Sequence, residues 1–149
     1  MIDAKRWLSS IQNLDEAIQK KQEEVDRLRQ MAISTSQELS PDRVQTSLSG
    51  DKFGNCIAKA ADLSKEIDSD IDRLYNLKQN VTCIISQLED ADECDVLCDK
   101  YINYCTIDEC ARRIGKSERH TKRIHQDAIH NIQLILNGCA QDIDNVTPF

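Results

Sequence analysis

The chain is poor in the residues that make turns. Its 149 residues include only four glycines and two prolines. Folds built from strands need frequent turns, which these two residue types largely supply, so their scarcity argues against a sheet protein. A charged fraction of 30% suits long helices with solvated outer faces. We therefore expect an all-α protein made of one domain or two small ones.

Long apolar segments are also missing. The sequence has no run of 18 apolar residues and no apolar signal peptide, so we expect no membrane association. Its seven cysteines are an odd number and include no CxxC pair. These features favour reduced thiols and a cytoplasmic location.

Four cysteines and two histidines raise the question of a zinc site. Cys94 and Cys98 are four residues apart, as two core-facing residues of one helix are, and buried thiols behave as small hydrophobic groups. No pattern gathers a nucleophile, a base and an orienting group. We therefore expect no metal, no cofactor, no catalytic residue and no enzyme activity. Besides Cys94 and Cys98, the four cysteines and two histidines considered as zinc ligands include Cys105, Cys110, His120 and His125.

Two heptad patterns predict a long antiparallel coiled-coil hairpin over residues 1–90, with helices at 3–33 and 53–89 and a loop at 34–52. Lys21 is the polar break in the first seam and is expected near Ile67 and Asp68. The expected seam of the first helix is Trp7, Ile11, Leu14, Ile18, Lys21, Val25, Leu28 and Ala32. The expected seam of the second helix is Ile57, Ala60, Ser64, Ile67, Ile71, Leu74, Lys78, Val81, Ile85 and Leu88.

The second helix carries an additional apolar column beside its seam, formed by Leu63, Leu77 and Ile84. A widened apolar face favours burial against more than one helix. We expect the hairpin to form a homodimer, a four-helix bundle. The alternative is that the C-terminal helices of the same chain cover this column.

The C-terminal part, 91–138, has the pattern of a helix-turn-helix behind a supporting helix at 92–104. Thr106 and Glu109 have the spacing of a capping box, Gly115 suits the turn, and Ser117 suits the cap of the next helix. Gly138 is expected to end that helix, and 139–149 to be a flexible tail. The expected inward residues are Val96, Leu97, Tyr101, Ile102, Ile107, Cys110, Ala111, Ile114, Thr121, Ile124, Ala128, Ile129 and Ile132.

Charge is distributed unevenly along the chain. The net charge is −7, and residues 1–105 hold 13 Lys and Arg against 20 Asp and Glu. Residues 112–125 hold six basic residues against Glu118 alone. Because screening confines electrostatic fields to roughly 8–10 Å, this local excess is what a phosphate backbone would meet. The segment therefore suits double-stranded DNA.

The segment TIDECARRIGKSERHTKRIHQDAI, residues 106–129, resembles the C-terminal helix-turn-helix of sigma factors, which reads the −35 promoter element. Its TIDE stands at that family's T-L-E-E, and Ser117 at the residue that caps its recognition helix. The whole chain is similar to small phage and prophage proteins of Gram-positive bacteria, with a related segment at 39–63. Those proteins resemble late-gene transcription activators. This resemblance implies a bacterial host cytoplasm and an association with the nucleoid.

The resemblance places Glu118, Arg119, Lys122 and Arg123 at positions that touch bases or flanking phosphates. Glu118 and Arg119 reverse the charges found in sigma factors, so the −35 sequence itself is not the expected target. We expect guanine contacts from Arg119 and Arg123 and a cytosine contact from Glu118. The candidate DNA-binding set is completed by Arg112, Arg113, Lys116, Ser117 and His120.

The expected function is that of a sequence-specific DNA-binding transcriptional regulator, homodimeric through its coiled coil. Two alternatives stay open. One is a structural or DNA-packaging protein similar to a small terminase, which would assemble as a ring. The other is a coiled-coil adaptor that binds RNA polymerase without touching DNA.

Overall fold

The computed structural model describes residues 2–37 and 48–144, and the side chains of 2–35 and 52–139. The described chain is all-α, as predicted, and its two long helices pack antiparallel. No helix among the described residues is long and apolar enough to cross a membrane. In chain order the elements are α1 (Ala4–Gln37), α2 (Leu48–Ile85), α3 (Ala91–Leu97), a π-helical turn (Cys98–Ile102), α4 (Ile107–Ile114) and α5 (Glu118–Asp144).

Two predicted boundaries are wrong. The predicted loop 34–52 is helical at both ends, since α1 runs to Gln37 and α2 begins at Leu48; its centre, 38–47, lies outside the described residues. Near the end of α1 the Thr35 hydroxyl donates to the Met31 carbonyl at 2.8 Å, so this side chain is accommodated within the helix.

The predicted stop at Gly138 is also wrong. The last helix, α5, continues through Gly138 to Asp144, so the first part of the expected flexible tail is helical, and 145–149 lie outside the described residues. A glycine inside a helix costs only about 1 kcal/mol relative to alanine, which flanking helical residues can offset.

The chain divides into two compact units, each with its own core. The hairpin unit comprises residues 14–74, and the terminal unit comprises residues 1–13 and 75–149. Both unit boundaries fall inside the long helices α1 and α2.

The hairpin unit buries a seam that differs from the predicted one on α2. Ile57 and Ile71 are 44% and 48% exposed, whereas Cys56 and Asp70 are buried. Of the two predicted columns, the one with Ala60 and Ile67 is buried as predicted, and the one with Ile57 and Ile71 is replaced by the column one residue before it. Its core consists of Val25, Leu28, Ala32, Cys56, Ala60 and Ile67, with Ile18 and Leu63 packed against it.

An ion pair explains this choice of column. The Lys21 ammonium lies 2.5 Å from the Asp70 carboxylate and 3.4 Å from Glu66. A half-buried ammonium without an anion would be costly, so the column that carries Asp70 faces α1. Ile67 and Asp68, the predicted neighbours of Lys21, lie between the two carboxylates that it contacts, Glu66 and Asp70.

The terminal unit is also packed around helical seams. In the part of α1 that belongs to this unit Ala4, Leu8 and Ile11 are buried, while the predicted Trp7 is only half-buried. The side chain of Gln133 accepts from the Ala4 N–H at 2.8 Å and donates to the Ile2 carbonyl at 2.8 Å. The predicted inward residues Ile11, Val81, Ile85, Val96, Leu97 and Tyr101 are buried, and Ile102 is half-buried.

The first prediction concerns the Lys21–Asp70 pair. Replacing Asp70 by leucine leaves the ammonium without its main partner, so the melting temperature should fall. Adding Lys21→Met should recover most of the loss, because two well-packed apolar residues can replace a buried pair. Thermal unfolding followed by circular dichroism measures both.

The exposed neighbour Lys20, changed to methionine in the Asp70→Leu background, is the control and should recover nothing. The hydrogen bond from Lys21 lowers the pKa of Asp70. The stability contributed by the pair is thus present above the ordinary aspartate pKa and is lost as the pH falls through the lower folded value. Equal melting temperatures for both double variants would contradict this account.

Candidate nucleic-acid interface

Local hydrogen bonds define the start of α4, the turn after it and the start of α5. The Thr106 hydroxyl accepts from the Glu109 N–H at 3.2 Å, and the Glu109 carboxylate accepts from the Thr106 N–H at 2.7 Å, which completes the predicted capping box. Gly115 ends α4 in the left-handed region, with φ of 69°. The Ser117 hydroxyl accepts from the His120 N–H at 3.2 Å and so caps α5. All three predicted signals are confirmed.

The buried side of α5 determines its exposed side. Thr121, Ile124, Ala128 and Ile132 are buried, as predicted, in the region where α5 packs on α3 and α4. Cys110 and Ala111 are buried on α4. Because a helix turns about 100° per residue, residues at positions 119, 122 and 123 lie away from that stripe.

Every member of the predicted DNA-binding set is exposed. Arg119 and Arg123 lie one turn apart, four residues, and Lys122 is a neighbour on the same side. None of the three is buried against the body of the protein. The remaining exposed members are Arg112, Arg113, Lys116, Ser117, Glu118 and His120.

Four of the six basic residues already have carboxylate partners. Arg113 lies 2.8 Å from Asp99, and Lys122 lies 2.7 Å from Glu118. Arg112 pairs with Asp108, and Lys116 pairs with Asp92. Six cations therefore share the region with four carboxylates, and its positive field is weaker than the sequence count suggests. The hydrogen bond that Arg113 donates to the Asp99 carboxylate raises the pKa of Arg113.

Arg119 and Arg123 differ from those four. Within the part of the chain that the structure describes, neither has an ion-pair partner. Both guanidinium groups are exposed on the first two turns of α5. These are the two cations that can bind an external anion without breaking an internal pair.

Sequence reasoning missed three of the four carboxylates that pair with this surface. The partnership of Asp108 with Arg112 has the i,i+4 spacing of a helical ion pair and could have been found from it. Asp92 and Asp99 lie 24 and 14 residues from their partners, so no local pattern indicates them.

His125 is part of a buried contact below the exposed face. Its Nε2 lies 2.9 Å from the Tyr101 hydroxyl, and the two rings stack with centroids 5.7 Å apart. Burial is the main reason why the pKa of His125 falls to about 4, and the charge of Lys100 adds to the effect. Neutral His125 therefore joins α5 to the π-helical turn. His120, by contrast, is exposed.

The thiols of this region are embedded in the packing. Cys110 is buried, Cys94 and Cys98 are half-buried, and burial raises the pKa of all three thiols. A raised pKa reduces the thiolate fraction that nucleophilic chemistry needs. Among the residues with described side chains, no three His, Cys, Asp or Glu groups are placed to hold a metal ion.

Comparison with known proteins finds no matching family model, no matching curated protein and no matching solved structure.

The second prediction tests the turn. Gly115→Ala should lower the free energy of unfolding by about 1 kcal/mol, since an L-residue in the left-handed region costs roughly 1–2 kcal/mol. Gly138→Ala should raise it by about 0.5–1 kcal/mol, because alanine is favoured inside a helix. A methyl group meets no atom within 4 Å at either position, so the two opposite signs isolate the backbone effect. Urea denaturation measures both variants, and a shift of the same sign would refute the argument.

The third prediction concerns His125. Between about pH 6.5 and 4 the unfolded state takes up a proton at this residue and the folded state does not, so stability should fall as the pH is lowered through that range. His125→Gln should flatten this part of the stability curve. The exposed His130→Gln is the control and should keep the wild-type slope. Denaturant titrations at half-unit pH steps measure the difference, and equal slopes for all three proteins would rule out the proposed linkage.

Proposed function

We propose that this protein is a phage-type, sequence-specific DNA-binding transcriptional regulator that reads double-stranded DNA with the N-terminal half of α5. One observation carries the proposal: Arg119 and Arg123 are exposed on one face of the second helix of a helix-turn-helix, and neither has an internal anion among the described residues. The sigma-like pattern of residues 106–129 supports it.

The geometry suits a duplex. Residues 119 and 123 are about 6 Å apart along the helix axis, from a rise of ~1.5 Å per residue. The major groove, about 12 Å wide, admits one α-helix, and a guanidinium group can form two hydrogen bonds with guanine O6 and N7. Arg119 and Arg123 are therefore assigned to base edges. Lys122, beside them, is assigned to a phosphate.

The cations that pair with carboxylates of the same chain contribute less to DNA binding in this proposal. Arg113 and Lys116 connect α4 and the turn to Asp99 and Asp92, so their first role is to hold the helix-turn-helix in shape. They contribute to phosphate contacts only where the DNA competes with those carboxylates. Arg112, paired with Asp108, follows the same rule. Specific binding thus depends on two residues more than on the whole basic segment.

The proposal includes a homodimer with two recognition helices for two half-sites, and contact with RNA polymerase if the regulator activates transcription. A ring-forming packaging protein and a polymerase adaptor are the competing functions. They differ from the regulator in oligomer size and in their dependence on α5.

The fourth prediction is that Arg119→Glu with Arg123→Glu abolishes binding to the duplex selected by wild-type protein from a random DNA pool. The reversed charges repel the backbone and remove both guanine contacts. Single alanine substitutions at either residue should weaken binding by about 10- to 100-fold. Fluorescence anisotropy at two or more salt concentrations is the measurement, because affinity falls steeply with salt when phosphates are contacted.

The matched control is Lys20→Glu with Arg29→Glu, two exposed cations on α1 whose reversal changes the net charge by the same amount. It should leave affinity within about threefold, because neither residue belongs to the proposed DNA-binding set and salt screens general charge repulsion. Failure to enrich any motif at low salt would overturn the base-reading claim. Intact transcriptional activity in the Arg119/Arg123 double variant would favour the adaptor.

A further inference from the structure

The outer side of α2 carries an apolar stripe formed by Phe53, Ile57, Ile71 and Tyr75. These side chains are 39%, 44%, 48% and 64% exposed with every described residue in place. Ser64 lies midway along the same helical line. The spacings of four, seven, seven and four residues keep all five positions within about 40° of each other on the helix.

The order of the stripe is self-complementary. If two copies of α2 lie antiparallel with the two Ser64 residues opposite each other, Ile57 lies opposite Ile71 of the partner subunit. In the same register Phe53 lies opposite Tyr75 of the partner subunit. A two-fold axis requires a patch that matches itself in this way. We infer that two copies of this chain dimerise through the stripe, antiparallel, with Ser64 at the two-fold axis.

Ser64, the polar residue at the centre of the stripe, can be buried in the dimer without losing a hydrogen bond. The Ser64 hydroxyl donates to the Ala60 carbonyl of its own helix at 2.8 Å. Its hydrogen bond is therefore made before a partner arrives, and removing water from it leaves no donor unsatisfied. The small serine also lets the two helices approach closely at the axis.

The length of the stripe indicates the size of the assembly. The 22 steps from residue 53 to residue 75 span about 33 Å at a rise of ~1.5 Å each. A stable interface of roughly 800 Å² per partner then needs a width of about 24 Å, which is about two helix diameters. One helix is too narrow, whereas the paired α1 and α2 have this width. The dimer is thus two hairpins packed face to face as a four-helix bundle, with the stripe at its centre.

The sequence left open whether the same chain covers the additional apolar surface of α2. The column of Leu63, Leu77 and Ile84 is half-buried. The more exposed apolar surface of α2 is the stripe, and three of its positions, Ile57, Ser64 and Ile71, belong to the predicted hairpin seam. This dimer goes beyond DNA recognition and does not depend on it.

The fifth prediction is tested by sedimentation of the full chain at 10–100 µM. Wild-type protein should have twice the 17.0 kDa chain mass. Ile57→Asp with Ile71→Asp should give a monomer. The dissociation constant of the dimer should rise at least about 1,000-fold, because the two substitutions in each chain remove four isoleucines from the interface. Ile2→Asp with Leu134→Asp, two apolar residues that are each 56% exposed and belong to neither α1 nor α2, should remain dimeric.

A second variant distinguishes loss of the dimer from misfolding of the chain. Ser64→Lys removes no apolar side chain and places two ammonium groups at the axis, so it should also give a monomer while circular dichroism stays helical. A wild-type monomer, a dimer unaffected by either stripe variant, or a ring of eight to twelve copies would overturn the inference. A monomer that still binds DNA through Arg119 and Arg123 would overturn the dimer, and with it the paired half-sites, but would leave DNA recognition by α5 standing.

Cross-linking tests the direction of the pairing. Phe53→Cys and Tyr75→Cys chains, mixed and treated with a short bismaleimide, should yield a peptide that joins positions 53 and 75 of different chains. Peptide mapping separates this product from links between native thiols. A product joining position 53 to position 53 would instead show parallel pairing and refute the two-fold antiparallel arrangement.

Discussion

The packing of α5 on α3 and α4 is the constraint on which the C-terminal surface depends. Burial of Thr121, Ile124, Ala128 and Ile132 fixes the rotation of α5 about its own axis. Once that rotation is fixed, helical geometry alone turns Arg119 and Arg123 to the solvent. The contact between Tyr101 and neutral His125 joins the same helix to the π-helical turn. The buried side of α5 thus determines which polar side chains of this helix are exposed.

Carboxylates shape that surface as much as cations do. Asp92 lies in α3 and Asp99 in the π-helical turn, and they pair with Lys116 in the turn after α4 and with Arg113 in α4. These pairs lower the local positive charge and orient α4 and the turn. An acidic protein can thereby present a small cationic site without a broad positive field. Under the proposed function, specific contact with DNA depends on Arg119 and Arg123, which have no ion-pair partner among the described residues.

The hairpin shows how two neighbouring columns can compete for one seam. Residues 56, 63 and 70 form one heptad column, and residues 57, 64 and 71 form the next. Apolarity favours the second column, with its two isoleucines, over the first. Asp70 reverses the choice because Lys21 on the opposing helix needs an anion. The displaced isoleucines then form an exposed stripe, which a monomer has no reason to keep apolar.

The sequence by itself determined the helical class, the long antiparallel pair and the local signals at Thr106, Gly115 and Ser117. Those signals depend on residues three or four positions apart, so neighbouring chain suffices to specify them. Only the tertiary structure decided that Asp70 joins Lys21 and that His125 joins Tyr101, across 49 and 24 residues. Such contacts depend on the register and rotation of packed helices, which small differences in burial and charge decide and no local pattern records.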